Sequence, residues 1–321
     1  MTSEQHTKNR RNQLLLLLAS AIWGTAFVAQ SKGGDIVGAF SFNCIRSLIG
    51  AGVLLIAILF LDRMGLSHAP KTSAEKRILW IGGISTGTVL CLAGNLQQVG
   101  INMGHSTGKA GFLTACYIVL VPILGIFLKK RCGLNVWFSV GLTLVGLYLL
   151  CMKESSRLET ADLLLLGCAL VFSVQILLVD HFAPLTDSVR LSCIEFLTSG
   201  VLSVIPMLFA DIGFTRQSIS AWAGSFASLD AWISILYAGV LSCAVAYTLQ
   251  IVGQRNVNPA IASLLMSLES VFSVLGGWLI LHQSLSAREL FGCLLIFVAV
   301  LLSQLPAGEL PSIFTEGENH T

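Results

Sequence analysis

Long runs of apolar residues, separated by short polar or charged segments, repeat along almost the whole chain. Each run is long enough to cross a hydrocarbon core of about 30 Å as an α-helix, which rises about 1.5 Å per residue. The pattern therefore predicts an all-α integral membrane protein with ten transmembrane helices. We number these spans 1 to 10, and they cover residues 13–31, 37–61, 78–102, 107–128, 134–152, 162–181, 188–209, 229–253, 259–281 and 288–305.

The composition excludes two other classes of protein. Of the 321 residues, 55% are hydrophobic and 11% are charged, whereas soluble domains carry about 25% charged residues. A soluble α/β enzyme would lack the polar surface to cover its core, and a chain this apolar would not stay disordered in water. We expect residues 1–12 and 306–321 to be short tails rather than further domains.

Lysine and arginine residues are distributed unevenly among the segments that connect the spans. With the N-terminus in the cytoplasm, the cytoplasmic segments carry twelve of them and the external segments six, while Arg46 lies within span 2. Cytoplasmic loops of membrane proteins are enriched in these residues. The bias predicts that both termini face the cytoplasm, in a membrane of the bacterial cytoplasmic type. A formal net charge of +2 gives no indication of nucleic-acid binding.

The second half of the chain resembles the first. The register holds without a gap over residues 85–150 at an offset of 151, and an offset of 149 aligns parts of spans 2 and 7. Because a repeat of five helices is odd, the second copy must cross the membrane in the opposite orientation. We predict two inverted-topology repeats, residues 13–152 and 153–305, an arrangement typical of secondary transporters. The aligned pairs include Gly141 with Gly292, Cys44 with Cys193, and Arg46 with Glu195.

Four segments resemble signatures of one transporter family. Residues 19–27 (ASAIWGTAF) are similar to the first-helix motif of the drug/metabolite transporter superfamily, in particular its EamA-type members. Residues 42–47 (FNCIRS), 107–122 (TGKAGFLTACYIVLVP) and 264–278 (LLMSLESVFSVLGGW) are similar to the motifs of the second, fourth and ninth helices. The order of the four motifs along ten spans is specific to the family but not to a substrate.

The resemblance implies a ten-helix permease that exports a small metabolite, such as an amino acid, a related compound or a drug. The chain has no ATP-binding motif, so the substrate's own gradient or a coupled ion such as the proton must supply the energy. A facilitator or exchanger of the same fold is the nearest alternative. A channel is a more distant alternative, as is a membrane-embedded lipid enzyme. We expect no enzymatic activity, cofactor or metal site, and a homodimer is left open.

Four charged residues are predicted within the membrane. Such a residue costs about 2.5–3.5 kcal/mol at the helix centre and usually faces the protein interior or a water-filled cavity. Arg46 either binds an anionic group or has a structural role, and the same choice applies to Lys109, which lies close enough to an interface to reach it. Glu195 and Glu269 are candidates for proton or ion coupling, with a structural partnership as the alternative.

Neutral polar and aromatic residues within the spans complete the candidate pathway. Trp23 is too deep for the aromatic belt at the membrane interface, so a cavity wall is its predicted position. Buried tyrosine hydroxyls and amides need hydrogen-bond partners, which a polar substrate can supply. The chamber is predicted to contain Trp23, Asn95, Tyr117 and Tyr247, and the further pathway candidates are Gln98, Gln175 and Gln250.

Overall fold

The computed structural model describes residues 3–65, 69–103, 107–130, 132–151, 159–255, 257–281 and 286–303, and the side chains of all these except 3–9, 107–109, 151 and 276–281. Every regular element in these ranges is helical, as predicted. The α-helices are α1 (Ser3–Val37), α2 (Ala39–Arg63), α3 (Ser73–Asn102), α4 (Thr107–Ala115), α5 (Tyr117–Phe127), α6 (Leu134–Cys151), α7 (Thr160–Phe182), α8 (Ser188–Pro206), α9 (Arg216–Ser225), α10 (Leu229–Leu236), α11 (Tyr247–Gly253), α12 (Pro259–Met266), α13 (Glu269–Leu281) and α14 (Ala287–Ser303).

Helices occupy all ten predicted spans. In the described part of the chain, seven helical segments are both long and apolar enough to cross a membrane. They form spans 1 to 4 and 6 to 8, and the shorter helices α6, α12 with α13, and α14 form spans 5, 9 and 10. Large apolar side chains such as Ile56 and Leu163 are exposed on the outside of the bundle. That surface is the one expected to face lipid.

Some spans are irregular in ways that the apolar pattern does not reveal. Span 7 ends in a π-helical segment, Met207–Ile212, and the middle of span 8 is a longer one, Tyr237–Ala246. The connection between spans 7 and 8, expected to be a turn-forming segment, contains the additional helix α9. Its first turn is fixed by a capping box in which Thr215 and Ser218 bond each other's backbone N–H groups.

Spans 2 and 7, which are equivalent in the repeat, run antiparallel. The Cys44 thiol donates to the Gly200 carbonyl at 3.4 Å, and the Cys193 thiol donates to the Ala51 carbonyl at 3.5 Å. Both residues of the first bond are displaced by 149 positions in the second. Two such bonds can form together only if equivalent helices point in opposite directions.

Contacts at the two ends of this helix pair follow the same offset. At one end Arg190 Nη2 lies 2.6 and 2.7 Å from the two Asp62 carboxylate oxygens. At the other end the backbone N–H of Ser41 donates to Asp211 Oδ2 at 2.5 Å. The C-terminal aspartate of each helix therefore binds the N-terminal turn of the other helix.

Spans 5 and 10, the other equivalent pair in extensive contact, are also antiparallel. Asn135 at the start of α6 donates to the carbonyl of Ser303 at the end of α14, at 3.4 Å. Gly146 and Gly292 meet where these helices cross, since a Cβ on Gly146 would lie 2.9 Å from the Gly292 carbonyl oxygen. Gly141, the residue aligned with Gly292 in the sequence, has no such neighbour within 4 Å. The two repeats are thus inverted, although their residue register is not uniform.

Four further contacts between spans form two pairs that are related by the repeat. Span 3 packs along span 6, and span 8 packs along span 1. Span 4 also packs on span 6, and span 9 packs on span 1. Replacing each span in these four pairs by its repeat equivalent gives the same four pairs, as an approximate twofold axis requires.

Candidate functional site

Two transmembrane helices are interrupted at corresponding positions of the repeats. Span 4 breaks at Cys116, between α4 and α5, and span 9 breaks at Ser267 and Leu268, between α12 and α13. Backbone hydrogen bonds at both breaks join residues three apart instead of four. The first residues after the breaks are Tyr117 and Glu269. Discontinuous helices at matching positions of inverted repeats are typical of substrate and ion sites.

A cavity lies beside these breaks, between the two repeats. It holds about 550 Å³ of space free of protein atoms, including the part open to solvent. The wall mixes aromatic surface with amide, hydroxyl and charged groups. Its lining residues are Trp23, Phe27, Gln30, Arg46, Gln97, Thr114 and Tyr117 from the first repeat and Phe172, Gln175, Ile176, Ser242, Tyr247, Gln250, Met266 and Glu269 from the second.

Tyr117 and Glu269 form the link between the two broken helices. The Tyr117 hydroxyl and the Glu269 carboxylate are near enough to interact electrostatically, and both residues line the cavity. Both side chains are largely buried, at 5% and 7% exposure. Gly24 allows α1 to approach this point, because a Cβ there would lie 2.5 Å from the Glu269 carbonyl oxygen. A carboxylate in such a buried place needs a bound cation or proton to balance its charge.

Arg46 presents positive charge to the cavity. Its Nε donates to Asn43 Oδ1 at 2.7 Å, and its guanidinium carbon lies 5.5 Å from the centre of the Phe42 ring. Asn43 Nδ2 donates to Asn95 Oδ1 at 2.9 Å, and Asn95 Nδ2 donates to Ser203 Oγ at 3.1 Å. No carboxylate among the described residues forms an ion pair with Arg46. The network therefore orients the guanidinium and leaves its charge unpaired.

A second polar network connects Glu195 to the cavity wall. Gln175 Nε2 donates to Glu195 Oε1 at 2.9 Å, and Gln250 Nε2 donates to Gln175 Oε1 at 3.3 Å. Gln175 and Gln250 line the cavity, whereas Glu195 is fully buried behind them. Glu195 Oε2 and Gln250 Oε1 have no hydrogen-bond partner in the described part of the chain.

Aromatic rings form one side of the cavity. Trp23 and Tyr247 pack edge to face with ring centroids 4.8 Å apart, and Tyr247 packs on Phe196 in the same way at 5.0 Å. The indole N–H of Trp23 has no acceptor among the described residues.

The structure brings seven of the eleven sequence candidates to the cavity wall and places three elsewhere. Asn95 and Glu195 lie behind the wall in the two networks, and Gln98 donates to the Gln30 carbonyl at 2.9 Å and to Asn102 Oδ1 at 2.8 Å. Lys109 lies in α4, but its side chain is outside the described residues. The seven lining candidates are Trp23, Arg46, Tyr117, Gln175, Tyr247, Gln250 and Glu269.

Several lining residues were not singled out from the sequence. Gln97, rather than its neighbour Gln98, faces the cavity, and Gln30 joins it from span 1. Adjacent residues on a helix point in directions about 100° apart, and only the packing of span 3 decides which amide faces inward. Phe172 could have been found from the sequence repeat, because it lies 149 positions after Trp23.

These features define an integral membrane protein in which two inverted five-helix repeats enclose a central cavity, the architecture of secondary transporters. The sequence model of the EamA-like transporter family matches residues 11–152 and again residues 159–305. The chain therefore belongs to the EamA-like transporter family. The resemblance read from the four motifs is confirmed by this twofold match.

Relatives of the chain carry transporter names. A protein of Archaeoglobus fulgidus named an uncharacterized transporter is 27% identical over 296 residues, covering 90% of this chain and 84% of the relative. The uncharacterized transporter YoaV of Bacillus subtilis is 23% identical over 90% of this chain and 94% of its own length. One solved crystal structure shares the fold, with a TM-score of 0.72 and 16% identity over 91% of this chain and 96% of that chain.

Proposed function

We propose that this membrane transporter exports a small metabolite across the cell membrane by alternating access, with the central cavity as its substrate site. The observation that carries the proposal is the pair of broken helices at matching repeat positions, which bring Tyr117 and Glu269 to the cavity. Inverted repeats of this kind can exchange two conformations around a central site. The export direction rests on the resemblance to exporters of the superfamily.

The chemistry of the wall supports a substrate with groups of opposite character. Arg46 is suited to an anionic group such as a carboxylate, because its charge is unpaired among the described residues. Glu269 and the aromatic surface of Trp23 suit a cationic or hydrogen-bond-donating group. An amino acid or a related zwitterion has both features.

Glu269 is the residue we assign to ion coupling. Its carboxylate interacts with a tyrosine hydroxyl at the junction of the broken helices and lines the cavity. A proton and a cationic substrate group would compete for this carboxylate, so substrate binding on one side and proton binding on the other would be linked. A facilitator of the same fold lacks this linkage, and it would show no response to a pH gradient.

The test begins with a comparison of intracellular and extracellular metabolites between cells lacking and cells overproducing the protein. Metabolites whose external level follows the amount of protein are then tested for counterflow in proteoliposomes. Saturable counterflow supports a transporter, and unit conductance without counterflow would instead indicate a channel. Direction is tested in the same cells, because accumulation inside overproducing cells would contradict export.

Orientation in the membrane is tested with single cysteines in a background without the native ones. Cysteines at Asp35 and Asp230 are expected to react with an impermeant reagent in intact cells, and cysteines at Ser73 and Lys130 are expected to be protected. This outcome follows if both termini face the cytoplasm. Labelling at Ser73 with protection at Asp35 would reverse the orientation.

A further inference from the structure

The backbones at Arg46 and Glu195 occupy equivalent places in the two repeats. A Cβ on Gly239 of span 8 would lie 3.0 Å from the Arg46 carbonyl oxygen, and a Cβ on Gly87 of span 3 would lie 2.5 Å from the Glu195 carbonyl oxygen. The equivalent thiol bonds of Cys44 and Cys193 join the two helices that carry these residues. The backbone at Arg46 therefore lies between span 7 and Gly239 of span 8. The backbone at Glu195 lies in the same way between span 2 and Gly87 of span 3.

The side chains at these equivalent positions have different surroundings. Arg46 lines the cavity, whereas Glu195 is 0% exposed and is separated from the cavity by Gln175. The same difference holds for Gln30, which lines the cavity, and for Val179, which follows it by 149 positions and is 0% exposed. Equivalent backbone positions thus differ in access to the cavity.

At the centre of the cavity, equivalent residues of the two repeats both line the wall. Trp23 and Phe172 are equivalent at the same offset and both line the cavity, as do Phe27 and Ile176. The cavity is therefore symmetric in its middle, whereas Gln30 and Arg46 line it without their equivalents. Gln30 lies between this middle and the end of the bundle where α1 ends and α2 begins.

Gln30 and Arg46 lie toward the same end of the bundle. Arg46 lies seven residues after the start of α2, and Gln30 lies seven residues before the end of α1. At about 1.5 Å per residue, both are about 10 Å from that end. Glu195 lies seven residues after the start of α8, at the opposite end of the antiparallel helix pair. In this conformation the cavity therefore includes Arg46 on one side, while Glu195 at the equivalent depth on the other side stays buried.

We propose that Glu195 is the counterpart of Arg46 in the opposite-facing conformation, where Glu195 and Val179 line the cavity and Arg46 and Gln30 are buried. The inference rests on the proposed alternating access and follows from it, because exchange of conformations between inverted repeats exchanges equivalent positions. The wall that meets the substrate changes from a guanidinium on one side of the membrane to a carboxylate on the other. A substrate anion held by Arg46 then faces a repelling group after the switch, while a substrate cation gains a partner.

The contacts of Glu195 are compatible with such a movement. One side chain, Gln175, stands between its carboxylate and the cavity, and it already lines the wall. Glu195 Oε2 has no hydrogen-bond partner in the described structure, and a buried unpaired carboxylate oxygen is costly. Exposure to water in the cavity would relieve this cost.

The test compares the access of single cysteines from the two sides of the membrane. In a full-length background without native cysteines, vesicles of both orientations are treated with an impermeant methanethiosulfonate reagent. Labelling of Gln30→Cys and Arg46→Cys is expected from one side and lost from the other. Val179→Cys and Glu195→Cys are expected to show the reverse pattern. Val179→Cys removes no charge or hydrogen bond, so it keeps the test valid if Glu195→Cys does not fold.

Two central variants provide the matched control. Phe172→Cys and Trp23→Cys are expected to react from both sides, because their positions line the cavity centre in both conformations. Reaction of Val179→Cys and Glu195→Cys from the same side as Arg46→Cys would overturn the inference, and so would their protection from both sides. With either of these outcomes, reaction of Phe172→Cys and Trp23→Cys from both sides would still support the proposed transport function. A central pair that reacts from only one side or from neither would instead contradict alternating access itself.

Discussion

The interface between spans 2 and 7 preserves the repeat symmetry, whereas the lining of the central cavity departs from it. At the interface equivalent residues make equivalent contacts, since the repeat relates the thiol bond of Cys44 to that of Cys193. In the cavity Tyr117 of one broken helix faces Glu269 of the other, and Arg46 has Glu195 as its equivalent. Helix packing has retained the symmetry, while the groups that would touch a substrate have diverged.

The comparison separates two kinds of constraint. Close packing of equivalent helices requires small residues and matching backbone contacts in both repeats, whichever molecule is transported. A binding site for one asymmetric molecule gains nothing from identical groups on both sides. We therefore expect substitutions at the symmetric interfaces to affect the amount of folded protein, and substitutions in the cavity to affect transport.

The largest effect is expected at the crossing of spans 5 and 10. Gly146→Leu places atoms against the Gly292 carbonyl, since even a Cβ would lie 2.9 Å from it, and 2.7 Å from a side-chain carbon of Ile296. Overpacking costs about 1–3 kcal/mol, and a change of this size reduces abundance several-fold. The amount of protein in the membrane, measured by immunoblot, should fall accordingly. Gly141→Leu in the same helix is the control, because nothing lies within 4 Å of that position.

The next effect separates coupling from binding at Glu269. Glu269→Gln keeps the shape of the side chain but removes its charge, so the variant should fold and exchange substrate while losing accumulation driven by a pH gradient. Proteoliposome uptake with and without an imposed gradient measures both activities. Glu75→Gln is the control, because Glu75 is exposed at the start of α3, far along the sequence from the cavity wall. Unchanged pH-driven uptake in Glu269→Gln would remove this residue from the coupling mechanism.

A smaller loss is expected from the aromatic wall. Trp23→Ala removes aromatic surface from the cavity wall, and a contact between a substrate cation and such a ring contributes about 1 kcal/mol. Substrate affinity should weaken by about tenfold or less, since 1.4 kcal/mol corresponds to tenfold. Concentration dependence of counterflow gives the affinity, and the protein level should stay near that of the parent. A fall in protein level without a change in affinity would place Trp23 in the packing instead.

The smallest effects should be equal at the two symmetric thiols. Cys44→Ala and Cys193→Ala each remove one weak bond between spans 2 and 7, and interhelical hydrogen bonds contribute about 0.6 kcal/mol. Thermal unfolding in detergent should shift slightly and by similar amounts in the two variants. A large shift in one variant only would show that the interface is less symmetric than its bond pattern.

Much of the fold could be predicted from the sequence because the membrane imposes a simple rule. Runs of apolar residues had to be helices long enough to cross the bilayer, and ten of them were visible. The match of Cys44 with Cys193 correctly placed two equivalent helices. The helix α9 was missed, because a short segment with a local capping box carries no long apolar run.

The site was predictable only in part. Charged and aromatic residues within spans, such as Arg46 and Trp23, were visible because the bilayer makes them exceptional. The breaks at Cys116 and Ser267 were not visible, because no proline or glycine stands at either position. The different access of Arg46 and Glu195 to the cavity belongs to the conformation rather than to the sequence.

The central claim is that the cavity between the broken helices is the transport route. Ser242 lines this cavity, and Ser242→Cys is a nearly isosteric change in a background without native cysteines. We predict that an impermeant thiol reagent modifies it and that counterflow falls in proportion to the modified fraction. Full counterflow after complete modification would contradict the account.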